Sequence, residues 1–232
     1  VSIHTDVAVG FPEAIPDGVR IPFGHDAVEV DAVLVAVGRD PVTTDIGLGQ
    51  TAVETDRGFV VTDPATMQTA EPGVYAVGDI VAATPALAHA GFAEAIAAVT
   101  HLATGEVAPV DHDAIPLVVY TNPEVATVGL GEAAARRAGY DVEVAKHGFG
   151  GVARAMIVGR TEGSVKVVRE VDGPILGASI VGPLAGEMIH ELMYAAAWEA
   201  LPEEAAAFIH AHPTIAEAVG ETLLSLGGRN LH

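Results

Sequence analysis

Residues 28–37, VEVDAVLVAV, alternate apolar and polar positions and then run apolar, which predicts a strand entering a buried sheet. Gly38 closes that run, and RDPVTTDIGLG (39–49) reads as a loop in which Pro41 forbids a simple continuation. GFVVTD (58–63) and GVYAVGD (73–79) predict two short strands, the second stopped by Gly-Asp. PALAHAGFAEAIAAVTHLAT (85–104) predicts a long helix. Alanines at 86, 90, 93 and 97 suit it to close packing on a sheet, and Gly105 is a fitting C-cap.

EVAPVDHDAIP (106–116) is acidic and carries prolines, as a connection to a second unit would. Beyond it LVVYT (117–121), VATVGL (125–130), YDVEVAKHGF (140–149), AMIVG (155–159), GSVKVVREV (163–171) and ILGASIVG (175–182) read as strands. GEAAARRAG (131–139), AGEMIHELMYAAAWEA (185–200), PEEAAAFIH (202–210) and about 214–226 read as helices. Strands first and helices after predict an α+β domain with an antiparallel sheet, following an α/β segment.

The 232 residues suffice for one large domain or two small ones, each with its own core. No uncharged apolar run is long enough for a transmembrane helix. VSIHTDVAVGF has neither a basic n-region nor an apolar h-region, so no signal peptide is read and a cytoplasmic protein is expected. The chain begins without methionine and in mid-pattern, as a fragment or processed chain would. Acids outnumber bases 31 to 11, giving a net charge of −20, with lysine only at Lys146 and Lys166. Such a surface repels nucleic acid and anionic membranes. Because the acids are scattered, adaptation to high salt (a halophilic protein) explains them better than a basic partner does. There is no cysteine, which excludes disulfides, thiolate metal sites and thiol chemistry within this chain.

Two stretches carry candidate chemistry. GVYAVGDI (73–80) places Asp79 at the carboxyl edge of a predicted strand, and Pro85–Ala86 opens a helix whose N-terminus points at the same edge. A carboxylate accepts from ligand hydroxyls, and a helix N-terminus suits an anionic or electron-rich ligand atom. Gly-Asp is also an ordinary strand stop, and His89 on that helix has no evident partner. FIHAHPTIAEAVGETL (208–223) holds His210 and His212 around one alanine, with Glu217 five residues beyond the second. His-x-His alone is too few ligands for a metal. Thr214-Ile215-Ala216-Glu217 fits a capping box, which would occupy Glu217; a carboxylate has two oxygens, so capping and a histidine contact could be shared.

DAVLVAVGRDP, GVYAVGDI with ALAHAGFAEA behind it, YTNPEVATVGL, ILGASIVGPLAGEMIHE and HAHPTIAEA occur in this order. Together they resemble the C-terminal half of the flavin-dependent (class I) pyridine nucleotide–disulfide oxidoreductases. HAHPTIAEA is more similar to the dihydrolipoamide dehydrogenases than to glutathione or mercuric reductases. The resemblance implies three parts: the end of an NAD-binding domain (1–42), a central FAD-contacting segment (43–112) and an interface domain (113–232). It implies FAD and NAD as cofactors of the whole enzyme. It also implies a homodimer formed through the interface domain, and lipoyl domains of 2-oxoacid dehydrogenase complexes as partners. Asp79 matches the aspartate that holds the flavin ribityl chain. The backbone at Leu87, Ala88 and His89 matches the helix start facing the flavin pyrimidine edge. Gly38 and Arg39 match the turn returning from the NAD domain. His212 matches the acid–base histidine that serves the partner subunit, Glu217 the glutamate that orients it, and His210 a supporting group of the same pocket. The glycine-rich fingerprints and the redox cysteine pair of such enzymes are not in this sequence. The chain is therefore expected to be inactive by itself and to bind FAD weakly or not at all. Another disulfide substrate, or a non-catalytic dimerisation module, are the alternatives.

Overall fold

The structure, a computed structural model, describes Val1–Arg229. The chain divides into two compact units, Val1–Pro41 and Val42–His232.

The first unit holds an antiparallel three-stranded sheet of β1 (Glu13–Ile15), β2 (Gly18–Phe23) and β3 (Asp26–Val30), in the order β1-β2-β3. Pro16–Asp17 and Gly24–His25 make its turns; Gly18, which opens β2, has a φ of 150° and Gly24 one of 58°. The expected strand over 28–37 therefore ends at Val30, and residues 31–37 are exposed. An apolar run becomes a buried central strand only when strands flank it, and no described strand pairs with 31–37.

The second unit opens with a two-residue hairpin, β4 (Thr55–Asp56) and β5 (Phe59–Val60). The strand expected over 73–79 does not form. Instead, Ala76 N–H donates to Met67 O and Thr69 N–H to Val74 O, folding 66–76 back on itself. A short 3-10 turn, Gly78–Ile80, follows. Val60, Ala76 and Val81 form the small core beneath it. The helix α1 (Ala88–Thr104) starts three residues later than expected and ends at Gly105, whose φ is 74°. Ala90, Ala97 and Ala98 are buried, whereas Phe92, Ile96, Val99 and Leu102 lie exposed along its length.

A five-stranded antiparallel sheet follows in the order β6-β7-β10-β9-β8: β6 (Leu117–Val119), β7 (Glu124–Gly129), β8 (Val142–Gly148), β9 (Ser164–Glu170) and β10 (Ile175–Gly182). Helix α2 (Glu132–Arg137) covers one face through Ala135 over Val142 and Val168. The other face carries Val165, Val167, Ala178 and Ile180. It packs under α4 (Ala185–Ala197) with Ile189 and Leu192, and α6 (Glu217–Leu226) with Val219 and Leu223. The period-2 alternation of Val165, Val167 and Val168 thus feeds two cores from one strand.

Residues 155–159, expected as a strand, belong instead to α3 (Ala153–Ile157). Val152 and Ala155, three apart, are both buried, so a single helical turn satisfies the apolar positions that suggested a strand. The helix expected over 202–210 is only α5 (Pro202–Ala205), and 206–213 continues as turns and extended chain. α5 is tethered by Arg169 of β9, a buried guanidinium whose Nη1 donates to Glu203 at 2.7 Å. Among the described residues no helix is long and apolar enough to cross a membrane.

Candidate functional site

His212 sits in the turn between α5 and α6, with a cis peptide bond to Pro213. Its Nδ1 lies 2.8 Å from Oε1 of Glu217. A carboxylate only accepts, so Nδ1 carries the donated proton and Nε2 is left as the acceptor nitrogen. The other oxygen, Oε2, accepts from the Thr214 N–H at 2.8 Å. Both demands anticipated for Glu217 are therefore met, one by each oxygen. The Thr214 hydroxyl, which a full capping box would aim at the helix, donates to Ala211 O at 2.7 Å. The His212 side chain is 70% exposed while that of Glu217 is 21% exposed. An anchored carboxylate thus presents a mobile-proton group to the outside. Beside it, His212, Glu217, Glu221, Val152 and Met156 line a cavity of about 180 Å3.

His210 has a different hydrogen-bond partner. Its Nε2 is 2.7 Å from Oε1 of Glu191 on α4. The hydrogen bond to Glu191 lifts the His210 pKa above the ordinary imidazole value, against an opposing effect of burial. The two histidines of His-x-His thus engage separate carboxylates.

Asp79 lies in a second group of residues. It is exposed in the 3-10 turn, not at a strand end as expected, and Gly78 before it has a φ of 75°. Two contacts hold this turn against the start of α1. Gly91 lets the helix approach so closely that a β-carbon there would stand 3.2 Å from the Gly78 α-carbon. Glu94, completely buried, accepts the Gly78 N–H at 2.6 Å through Oε2. Its Oε1 lies 2.9 Å from Nε2 of His112, so three segments meet on one carboxylate. Glu94 and His112 escaped the reading of the sequence, although a lone glutamate among the alanines of α1 was a visible signal. Leu87 is the N-cap of α1 and supplies no side-chain cap, so the first N–H groups at Ala88, His89 and Ala90 point out of the helix. His89 Nε2 lies 2.8 Å from the Pro116 carbonyl and latches α1 to the chain entering β6.

An exposed carboxylate beside a free helix N-terminus fits the hydroxyl-bearing and electron-rich parts of a flavin. The sequence holds no G-x-G-x-x-G fingerprint of the kind that cradles a pyrophosphate. Gly38 and Arg39 belong to the first unit, where Gly38 is exposed with a φ of 113°.

Residues 115–223 match the model of the pyridine nucleotide-disulphide oxidoreductase dimerisation domain, and residues 3–95 match that of the pyridine nucleotide-disulphide oxidoreductases. The chain is 40% identical over 238 residues to a dihydrolipoyl dehydrogenase of Bacillus subtilis (strain 168), covering 100% of this chain and 50% of that protein. It is 44% identical over 204 residues to a dihydrolipoyl dehydrogenase of Haloferax volcanii, covering 87% and 42%. The crystal structure of LpdA from Mycobacterium tuberculosis superposes with a TM-score of 0.85 at 23% identity. It covers 95% of this chain and 48% of that one, and it shows the fold alone. The chain spans about half the length of the curated relatives it matches. It belongs to the pyridine nucleotide-disulphide oxidoreductase family, whose members use FAD and NAD. Within that family it is dihydrolipoyl dehydrogenase-like.

Proposed function

We propose that this chain is the acid–base and self-association part of an FAD-dependent dihydrolipoamide:NAD oxidoreductase. The observation that carries the reading is the His212–Glu217 pair, with its proton fixed on Nδ1 and Nε2 directed away from its carboxylate. Dithiol–disulfide exchange needs a base to take a thiol proton as the sulfur attacks, and an acid to return it to the departing sulfur. An imidazole oriented by a carboxylate does both. Bound FAD would pass the electrons to NAD; this chain's share is to hold it through Asp79 and the start of α1 at Leu87–His89. The sulfur-bearing half of the site is outside the chain, which has no cysteine.

The test is to purify the protein together with any coding sequence contiguous with it and to assay flavin absorbance and NAD reduction. Dihydrolipoamide should be turned over in preference to other dithiols. A flavin-loaded protein that ignores dihydrolipoamide would sink the proposal, and turnover of another dithiol would assign a related reductase. The lack of cysteine favours one rival, a dimerisation module without redox chemistry, and a protein that dimerises but shows no dithiol activity would establish it.

Self-association has its own surface. Tyr194 and Trp198 of the α4 end stack with centroids 5.3 Å apart, and Trp198, Phe208 and Ile209 are 76%, 78% and 97% exposed. Clustered exposed aromatics mark an interaction face, and the match to a dimerisation domain makes a second copy the fitting occupant. Trp198→Asp is expected to weaken the dimer by about 30-fold or more, the effect of losing a central aromatic anchor. Sedimentation velocity over a concentration series reads this, and an unchanged dimer would remove Trp198 from the interface.

A further inference from the structure

The side chain of His210 is 15% exposed against 70% for His212, so it is built into the fold rather than offered to a substrate. Its Nε2 is tied to Glu191 of α4. Its ring lies on Gly220 of α6, where a β-carbon would stand 2.6 Å from Nδ1 and 3.0 Å from Cε1. Gly220 is three residues beyond Glu217, one turn along the same face of the helix. The ring therefore sits beside the carboxylate that orients His212, and the charge of Glu217 contributes to holding the His210 pKa up, after Glu191 itself.

We propose that Glu191 and His210 are positioning residues for His212. They clamp α4 to α6 through the ring, fix the turn that carries His212, and hold the Glu217 carboxylate between two imidazoles. This deepens the reading of His212 as the acid–base group and rests on it. Ordering the backbone on both sides of residue 211 matters because the turn between α5 and Pro213 has no ladder hydrogen bonds of its own. The charges matter as well. The Glu217 carboxylate acts on both rings, as the hydrogen-bond partner of His212 and through its charge on His210. The charged groups that act on His210 are Glu191 from α4 and Glu217 from α6.

Histidine-selective 1H–15N spectra of the 232-residue chain, recorded across the range in which imidazoles titrate, test the clamp. In Glu191→Gln the His210 midpoint should fall. Nitrogen shifts of His212 should show the Nδ1–H tautomer diluted by the other. Gly220→Ala, which pushes the ring off α6, should produce the same change at His212, and Glu191→Asp should restore part of it. A His212 tautomer that stays put while His210 moves would overturn the proposal. Should Gly220→Ala not fold, the near-isosteric Glu191→Gln decides alone. These readings need neither flavin nor dithiol, so the clamp can fail while His212 still proves to be the acid–base group in turnover, and the reverse.

Discussion

Glutamine at position 212 is expected to lower dithiol turnover of the flavin-loaded, full-length protein by about 10²–10⁴-fold, the usual contribution of a positioned acid–base group. Direct oxidation of NADH by a dye acceptor, which moves no thiol proton, should stay within about twofold of wild type; steady-state assays of both activities on one preparation make the comparison. Stability should change little, because the His212 side chain is largely exposed and its loss leaves Glu217 holding the Thr214 N–H. Glu217→Gln sharpens the point. Its carbonyl oxygen can still accept from Thr214 and keep the start of α6, while its amide group faces His212 Nδ1 and drives the proton to Nε2. That tautomer has no basic nitrogen where a thiol would meet it, so turnover should fall with the fold intact. Equal loss of dithiol and dye activity in His212→Gln would contradict the assigned role.

The split nature of Glu217 also shows what the sequence could and could not reveal. The spacing from His212 to Glu217 and the T-x-x-E step were both legible, and each named the same carboxylate. Only coordinates show one oxygen serving each demand. The sheet that supports the pair was legible because β7, β9 and β10 are short runs rich in β-branched apolar residues, punctuated by glycines. The hairpins of the first unit were not, since Pro16 and Pro22 argue against strands. Pro22 is tolerated because β1 pairs only with Gly18–Arg20, so its missing N–H falls where β1 has already ended; its carbonyl accepts from Gly10 instead. The misread AMIVG and GVYAVGD share one cause. Short apolar runs look alike whether a strand, a helical turn or an irregular segment buries them, and tertiary partners decide. Here those partners were Val152 for the first and Met67 with Thr69 for the second. The His210 clamp was invisible because its two other members, Glu191 and Gly220, lie 19 residues before it and 10 after it in the chain, on different helices.

Glu94→Ala is expected to be the most destabilising single change near the Asp79 turn. The wild-type carboxylate is inaccessible to water, and both of its oxygens are engaged, by the Gly78 N–H and by His112. Truncation opens a void and strands two donors at once, one of them a half-buried backbone N–H. Losing two hydrogen bonds to one buried acceptor together with the cavity costs about 3–5 kcal/mol. For a chain of this size that corresponds to a melting temperature lower by roughly 6–20 °C. Glu94→Gln should be milder, because one oxygen survives while the amide group opposes a donor; which contact it keeps is read by pairing it with His112→Ala in a double-mutant cycle. The functional consequence follows from geometry. Gly78 is adjacent to Asp79, and the Glu94 bond is what pins that turn to the helix start that would face the flavin. Full-length Glu94→Ala should therefore lose flavin on dilution faster than wild type, even at temperatures where it remains folded. A melting temperature within about 2 °C of wild type, or unchanged flavin retention, would show that Gly91 packing alone holds the turn.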